Sequence, residues 1–264
     1  RGDILVEHRG DAGVQVGQLH GGEADLVGQG LAMDEGGVQR RLEQRVGLAG
    51  RGLDEIAEHA VVADLQRHAA FQGQLGFQGD DHLAAVVAQG PRLVEELVAA
   101  GERVFLDLKY HDIPNTVAKA VESAVRLDVQ MLTIHTSGGL AMMQAAQQAA
   151  ENTSLRTGKT QPLVLGVTVL TSLNTNDLAE VGVPHDVGAQ VERLATLAAK
   201  AGLGGLVCSP LEISGLREWL PAKVQLVTPG IRPADSARDD QKRTLTPKEA
   251  LQAGANWLVI GRPI

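Results

Sequence analysis

Six short apolar runs, spaced by stretches of helical periodicity, predict an α/β protein built on a parallel sheet, and the placement of its polar residues predicts a sheet rolled into a TIM-type (β/α)8 barrel. The runs lie at residues 104–108, 131–135, 163–168, 205–208, 225–228 and 257–260. Amphipathic patterns predict helices over 91–100, 115–127, 139–151, 187–201, 210–219 and 247–253. Polar residues gather just after the apolar runs and not before them, as the C-terminal mouth of a barrel requires. At 264 residues the chain has the length of one such domain.

Each element follows from local chemistry. Helix 91–100 is closed by Gly101, as 187–201 is by Gly202 and 247–253 by Gly254, where a left-handed cap is needed. In strand 104–108 side chains alternate, so Asp107 projects from one face while Leu106 and Leu108 project from the other, and Lys109 continues the Asp107 face. Ile113-Pro114 ends that segment, because a residue before proline is held extended, and Pro114 fits the first turn of helix 115–127. After strand 131–135, Ser137-Gly138-Gly139 reads either as part of a site or as a helix start with the Ser137 hydroxyl as cap, and Met142-Met143 read as core. Thr171-Ser172 after strand 163–168 reads as a loop or as a ligand contact. Cys208, the one cysteine, has no internal disulfide partner and reads as a buried strand thiol.

The first third has another texture. Residues 1–89 contain no Lys, Ser, Thr, Asn, Pro, Cys, Tyr or Trp, although every one of these types occurs later. Turns and helix caps are left to Gly and Asp. Nearly all of these residues have codons beginning with G or C, as arises when a GC-rich gene is read on the wrong strand. We therefore divide the chain into an atypical, non-native or disordered segment at 1–89 and a barrel region at 90–264. If 1–89 folds, 40–46 and 53–65 have amphipathic helical patterns. Its histidines, His8, His20, His59, His68 and His82, lack the spacing of a metal site.

Net charge of −8 argues against a nucleic-acid footprint, which needs clustered Lys and Arg. No apolar run reaches the ~20 residues of a membrane helix, and no signal-peptide core opens the chain, so the expected compartment is the cytoplasm. The expected partner is a small molecule.

Chemistry concentrates at the predicted strand ends. Asp107, Lys109 and Asp112 place two carboxylates and an ammonium beside apolar residues, where burying charge costs several kcal/mol unless something is gained. His111 beside them reads as a solvated or capping group. Gly230-Ile231-Arg232-Pro233 and Gly261-Arg262-Pro263 each set a glycine backbone next to an arginine after the last two strands, the usual place for a phosphate in a barrel. A carbanion forming at such a mouth would be stabilised by a cation already standing there, with no metal or organic cofactor required. Lys109 fills that role.

Seven motifs in order, FLDLKxHDIPNT at 105–116, HxSGG at 135–139, TVLTS at 168–172, VCS at 207–209, TPGIRP at 228–233, DQ at 240–241 and IGRP at 260–263, closely resemble those of the orotidine 5'-phosphate decarboxylases. The resemblance runs from about residue 90 to 264. It implies decarboxylation of orotidine 5'-phosphate to uridine 5'-phosphate in pyrimidine synthesis. By the same resemblance, Lys109 protonates C6, Asp107 sits against the substrate carboxylate, and Asp112 reaches across a homodimer interface. Thr116 and Thr171 match substrate contacts, while Arg232, Gln241, Gly261 and Arg262 match the groups that hold the phosphate and its surroundings.

Two family features are not recognisable, a first-strand aspartate and a second-strand lysine in a K-V-G context; the latter would fall near Asp80, in a segment without lysine. The family's closing helix would lie beyond Ile264. The expected barrel is therefore incomplete, with strands 3 to 8 of eight, unpaired edges and an exposed interior. A second reading follows: a catalytically impaired fusion or truncated product that retains only phosphate-ligand binding. A third, a metal-using enzyme of keto-sugar phosphates, is not supported by 113–116 or 228–233.

Overall fold

A computed structural model of the chain describes residues 4–10, 13–15, 61–63, 90–231 and 244–260. Its centre is a curled sheet of six parallel strands: β4 (Arg103–Tyr110), β5 (Met131–His135), β6 (Leu163–Val167), β7 (Gly205–Val207), β8 (Gln225–Thr228) and β9 (Trp257–Ile260), hydrogen-bonded in that order. Helices α1 (Pro91–Ala99), α2 (Pro114–Arg126), α3 (Gly139–Thr157), α5 (Val187–Ala201), α6 (Ile213–Arg217) and α7 (Pro247–Gln252) intervene. A short α4 (Thr175–Glu180), which the periodicity does not predict, is nucleated by a reciprocal cap between Asn174 and Asp177. The predicted helix 210–219 divides into a 3₁₀ turn, Pro210–Glu212, and α6. Helix α3 runs to Thr157, six residues past the predicted end at 151, and closes on Gly158 with φ of 69°.

Strand alternation sorts the apolar residues into two cores. Leu106, Leu132, Ile134, Val164, Leu206, Leu226 and Leu258 face outward and pack with Val117 and Val121 of α2, Met142, Met143 and Ala146 of α3, and Leu194 and Ala198 of α5. Phe105, Met131, Leu165 and Val227 face inward and pack with Val207, Trp257 and Val259. The sheet thus has the two covered faces that a parallel sheet requires. Met142-Met143 are core, and Cys208 is buried one residue past the end of β7.

Arg217 of α6 braces the N-terminal ends of the last two strands. Its guanidinium donates to the Gly254 carbonyl at 3.0 Å, to the Val224 carbonyl at 2.9 Å and to the Asn256 side-chain oxygen. That oxygen also accepts from the Leu226 N–H at 2.8 Å, so one half-buried fork satisfies three acceptors in the connections that lead into β8 and β9.

Among the described residues the outer edges of β4 and β9, expected to be unpaired, are both occupied, and the open sheet ends one or two strands further out. Strand β1 (Ile4–Gly10) runs antiparallel along β4, with Ile4 opposite Leu106 and Glu7 opposite Arg103, and β2 (Gly13–Gln15) folds back on β1. Strand β3 (Val61–Ala63) lies parallel to β9. The N–H donors and C=O acceptors left free along an edge strand pair readily with any extended segment, and two pieces of the atypical region supply one. The helical pattern at 53–65 is overridden at 61–63, where the backbone is strand; 40–46 lies outside the described residues. His8 falls in β1, while His20, His59, His68 and His82 lie outside the described residues.

Among the described residues Phe105 is the largest fully buried side chain, and it belongs to the inner core. Phe105→Ala is expected to lower stability by about 3–5 kcal/mol in urea unfolding, because the curled sheet cannot collapse into the void.

Candidate active site

Above Phe105 the inner face of β4 changes from apolar to charged. Asp107 and Lys109 follow on the same face, and Lys109 Nζ donates to Asp107 Oδ2 at 2.6 Å. Their side chains keep only 12% and 22% of their exposure, so this is no surface ion pair and is little weakened by solvent. The pairing of β4 with β5 slips here: Leu106 opposes Leu132 and Tyr110 opposes Ile134, so Asp107, Leu108 and Lys109 are set against Thr133 alone. A bulge of this kind re-aims side chains beside functional sites. Lys109 absorbs the kink with φ of 50°, a left-handed conformation that costs a non-glycine residue roughly 1–3 kcal/mol.

Thr133 meets both halves of the pair. Its hydroxyl donates to Asp107 Oδ1 at 2.6 Å and accepts from the Lys109 backbone N–H at 2.9 Å. The residue is fully buried. Two positions further along β5, His135 lies beneath His111, with ring centroids 5.4 Å apart and planes tilted by 46°. Burial pushes the His135 imidazole below its ordinary range, and the neighbouring His111 and Lys109 act in the same sense against an opposing pull from Asp107. His111 itself is exposed, as expected.

The rim is tied by hydroxyls. Thr136 donates to the Val167 carbonyl at 2.7 Å, Thr168 to the Val207 carbonyl at 3.1 Å, and Thr228 to the Cys208 carbonyl at 2.9 Å, each bridging neighbouring strand ends. Thr168, Ser209 and Thr228, which the sequence places at the mouth, are all buried there. Ser209 instead caps the following 3₁₀ turn, accepting from the Leu211 N–H at 3.3 Å. Ser137 forms no cap: α3 begins after a 3₁₀ turn, Thr136–Gly138, with Gly138 at its N-cap and no side-chain hydrogen bond. The reason is that the turn already carries the chain into the helix.

The other predicted site residues are spread differently. Asp112 is exposed, and its carboxylate accepts from the Ile113 N–H at 2.6 Å. Thr116 is exposed in the first turn of α2, and Thr171 is half-buried in the turn after β6. Arg232, Gln241, Gly261 and Arg262 lie outside the described residues; β8 and β9, which lead toward them, end on the same rim as Lys109. Sequence reasoning missed Thr133, although its parity with Met131 in an inward-facing strand was a usable signal. Among the described residues, no three His, Cys, Asp or Glu side chains converge as a metal site, and no helix is long and apolar enough to cross a membrane.

A family model described as Orotidine 5'-phosphate decarboxylase / HUMPS family matches residues 82–264, reaching back past residue 90. Orotidine 5'-phosphate decarboxylases from Opitutus terrae and Laribacter hongkongensis are 59% and 56% identical to this chain, over 69% and 67% of its length and 77% and 71% of theirs. A crystal structure of orotidine 5'-phosphate decarboxylase from Lactobacillus acidophilus matches with a TM-score of 0.64 at 33% identity, covering 78% of this chain and 91% of that one.

The lowered affinity of His135 for a proton has a measurable consequence. Below about pH 6.5 the unfolded chain binds a proton that the folded chain resists, so this histidine's contribution to stability is complete above that pH and declines beneath it. Urea midpoints measured between about pH 7 and 5 should fall less steeply for His135→Gln than for the parent.

Proposed function

Because the chain belongs to the orotidine 5'-phosphate decarboxylase / HUMPS family, we propose that its rim converts orotidine 5'-phosphate to uridine 5'-phosphate, a step of pyrimidine biosynthesis, with Lys109 as the proton donor. The observation that carries this is the Lys109–Asp107 pair, held on the inner face at the C-terminal end of β4 with little solvent around it. As the C6–carboxylate bond breaks, carbon dioxide leaves and the electron pair stays on C6. The Lys109 ammonium stabilises that charge and then delivers its proton to form the C6–H bond. Asp107 sets the substrate carboxylate against a negative neighbour, and binding of the distant phosphate by Arg232, Gln241, Gly261 and Arg262 offsets that repulsion. Thr116 and Thr171 contact the remainder of the nucleotide.

The finer architecture belongs to the same proposal. Six strands of a (β/α)8 barrel are provided by 90–264, with 1–89 as an atypical, non-native addition. The working unit is a cytoplasmic homodimer in which Asp112 enters the neighbouring site; what supports this is the exposure of Asp112 beside Ile113, an isoleucine left 67% exposed. Mixing inactive Lys109→Ala and Asp112→Ala chains should then restore up to about a quarter of parental activity, since one site in a mixed dimer escapes both changes.

One observation favours the second reading, a chain that binds but turns over poorly. The edge of β4 is occupied by an antiparallel strand, and 1–89 contains no lysine to serve as the second-strand lysine that the resemblance implies. Loss of orotidine 5'-phosphate absorbance decides between them. Lys109→Ala should slow turnover about 100- to 10,000-fold. Equal rates for parent and variant reject catalysis at this site, and tight uridine 5'-phosphate binding without turnover selects the second reading.

A further inference from the structure

We infer that Thr133 is a positioning residue that decides which oxygen of Asp107 holds the Lys109 ammonium, an inference that rests on the decarboxylase reading for its catalytic meaning. The bulge sets three residues of β4 against this one residue of β5, so a single side chain must serve the backbone and the carboxylate of the strand opposite. Thr133 does both. Its proton goes to Asp107 Oδ1, leaving Oδ2 to Lys109 Nζ, and its lone pair takes the Lys109 N–H that the bulge withdraws from the ladder.

The two bonds reinforce each other geometrically. Anchoring the N–H holds Lys109 at φ of 50°, a conformation a lysine leaves readily unless its surroundings insist on it. Anchoring Oδ1 stops the carboxylate from rotating, so the ammonium meets one oxygen along one direction. Being β-branched, threonine in a strand holds its hydroxyl in a restricted rotamer, and full burial removes water as a substitute partner. An apolar side chain of the same shape would fill the space and orient nothing.

The test uses the full chain with Thr133→Val, which keeps shape and removes the hydroxyl, and Thr133→Ser, which keeps the hydroxyl. Two measurements are made on each: kinetics with orotidine 5'-phosphate, and the rate of Lys109 acylation by an amine-selective reagent, read by mass spectrometry against Lys119 and Lys159. Thr133→Val is expected to reduce kcat about 10- to 100-fold with KM within about twofold, and to raise relative Lys109 acylation about threefold or more. Thr133→Ser should return both to within about threefold of the parent. Parental kcat and parental acylation in Thr133→Val overturn the inference, as does equal loss in both variants accompanied by loss of the thermal transition, which marks a purely structural role. If the parent itself does not turn over orotidine 5'-phosphate, the decarboxylase reading fails, and the acylation rates alone uphold or overturn the positioning role.

Discussion

A charged pair inside a curled sheet is the constraint from which the rest of the site follows. Asp107 and Lys109 stand on a face whose lower residues, Phe105, Met131 and Leu165, are apolar and fully buried. Burying two charges there costs several kcal/mol for each, and their attraction offsets that cost only where geometry is good and the remaining polar atoms have partners. The structure meets both conditions. A 2.6 Å contact joins ammonium and carboxylate, and the second carboxylate oxygen is taken by Thr133. The register slip and the left-handed Lys109 are the backbone adjustments that bring these groups together.

Around that pair, the rim is stiffened by hydroxyls rather than by further charge. Thr136, Thr168 and Thr228 each donate to a carbonyl at a neighbouring strand end. Such bonds give each buried hydroxyl the partner that water cannot supply there. They hold the strand ends in fixed relation, which a site assembled from several strands needs. At the opposite end of the last two strands, Arg217 does comparable work with one fork.

The first third of the chain shows what edge chemistry does to a sequence with poor punctuation. Ile4–Gly10 and Val61–Ala63 extend the sheet at its two ends, although nothing in their composition marks them as barrel strands. Pairing at an edge is backbone chemistry and asks little of side chains. A catalytic array asks for particular side chains at particular registers, and an antiparallel neighbour without lysine brings none to Asp107.

Much of this was determined by sequence alone. Strands Met131–His135, Gln225–Thr228 and Trp257–Ile260 and helix Val187–Ala201 have the bounds their patterns predict, because burial on both faces leaves continuous apolar runs and glycine marks a helix end. The inward direction of Asp107 and Lys109 was legible from alternation, since period two is a property of any strand. Tertiary structure decided the rest. The role of Thr133 depends on a register slip between two strands, and the missing Ser137 cap depends on a 3₁₀ turn taking its place. The strand at 61–63 in a helical pattern depends on an edge elsewhere in the chain. These are relations between segments distant in sequence, and local periodicity carries no information about which neighbour a backbone group will meet.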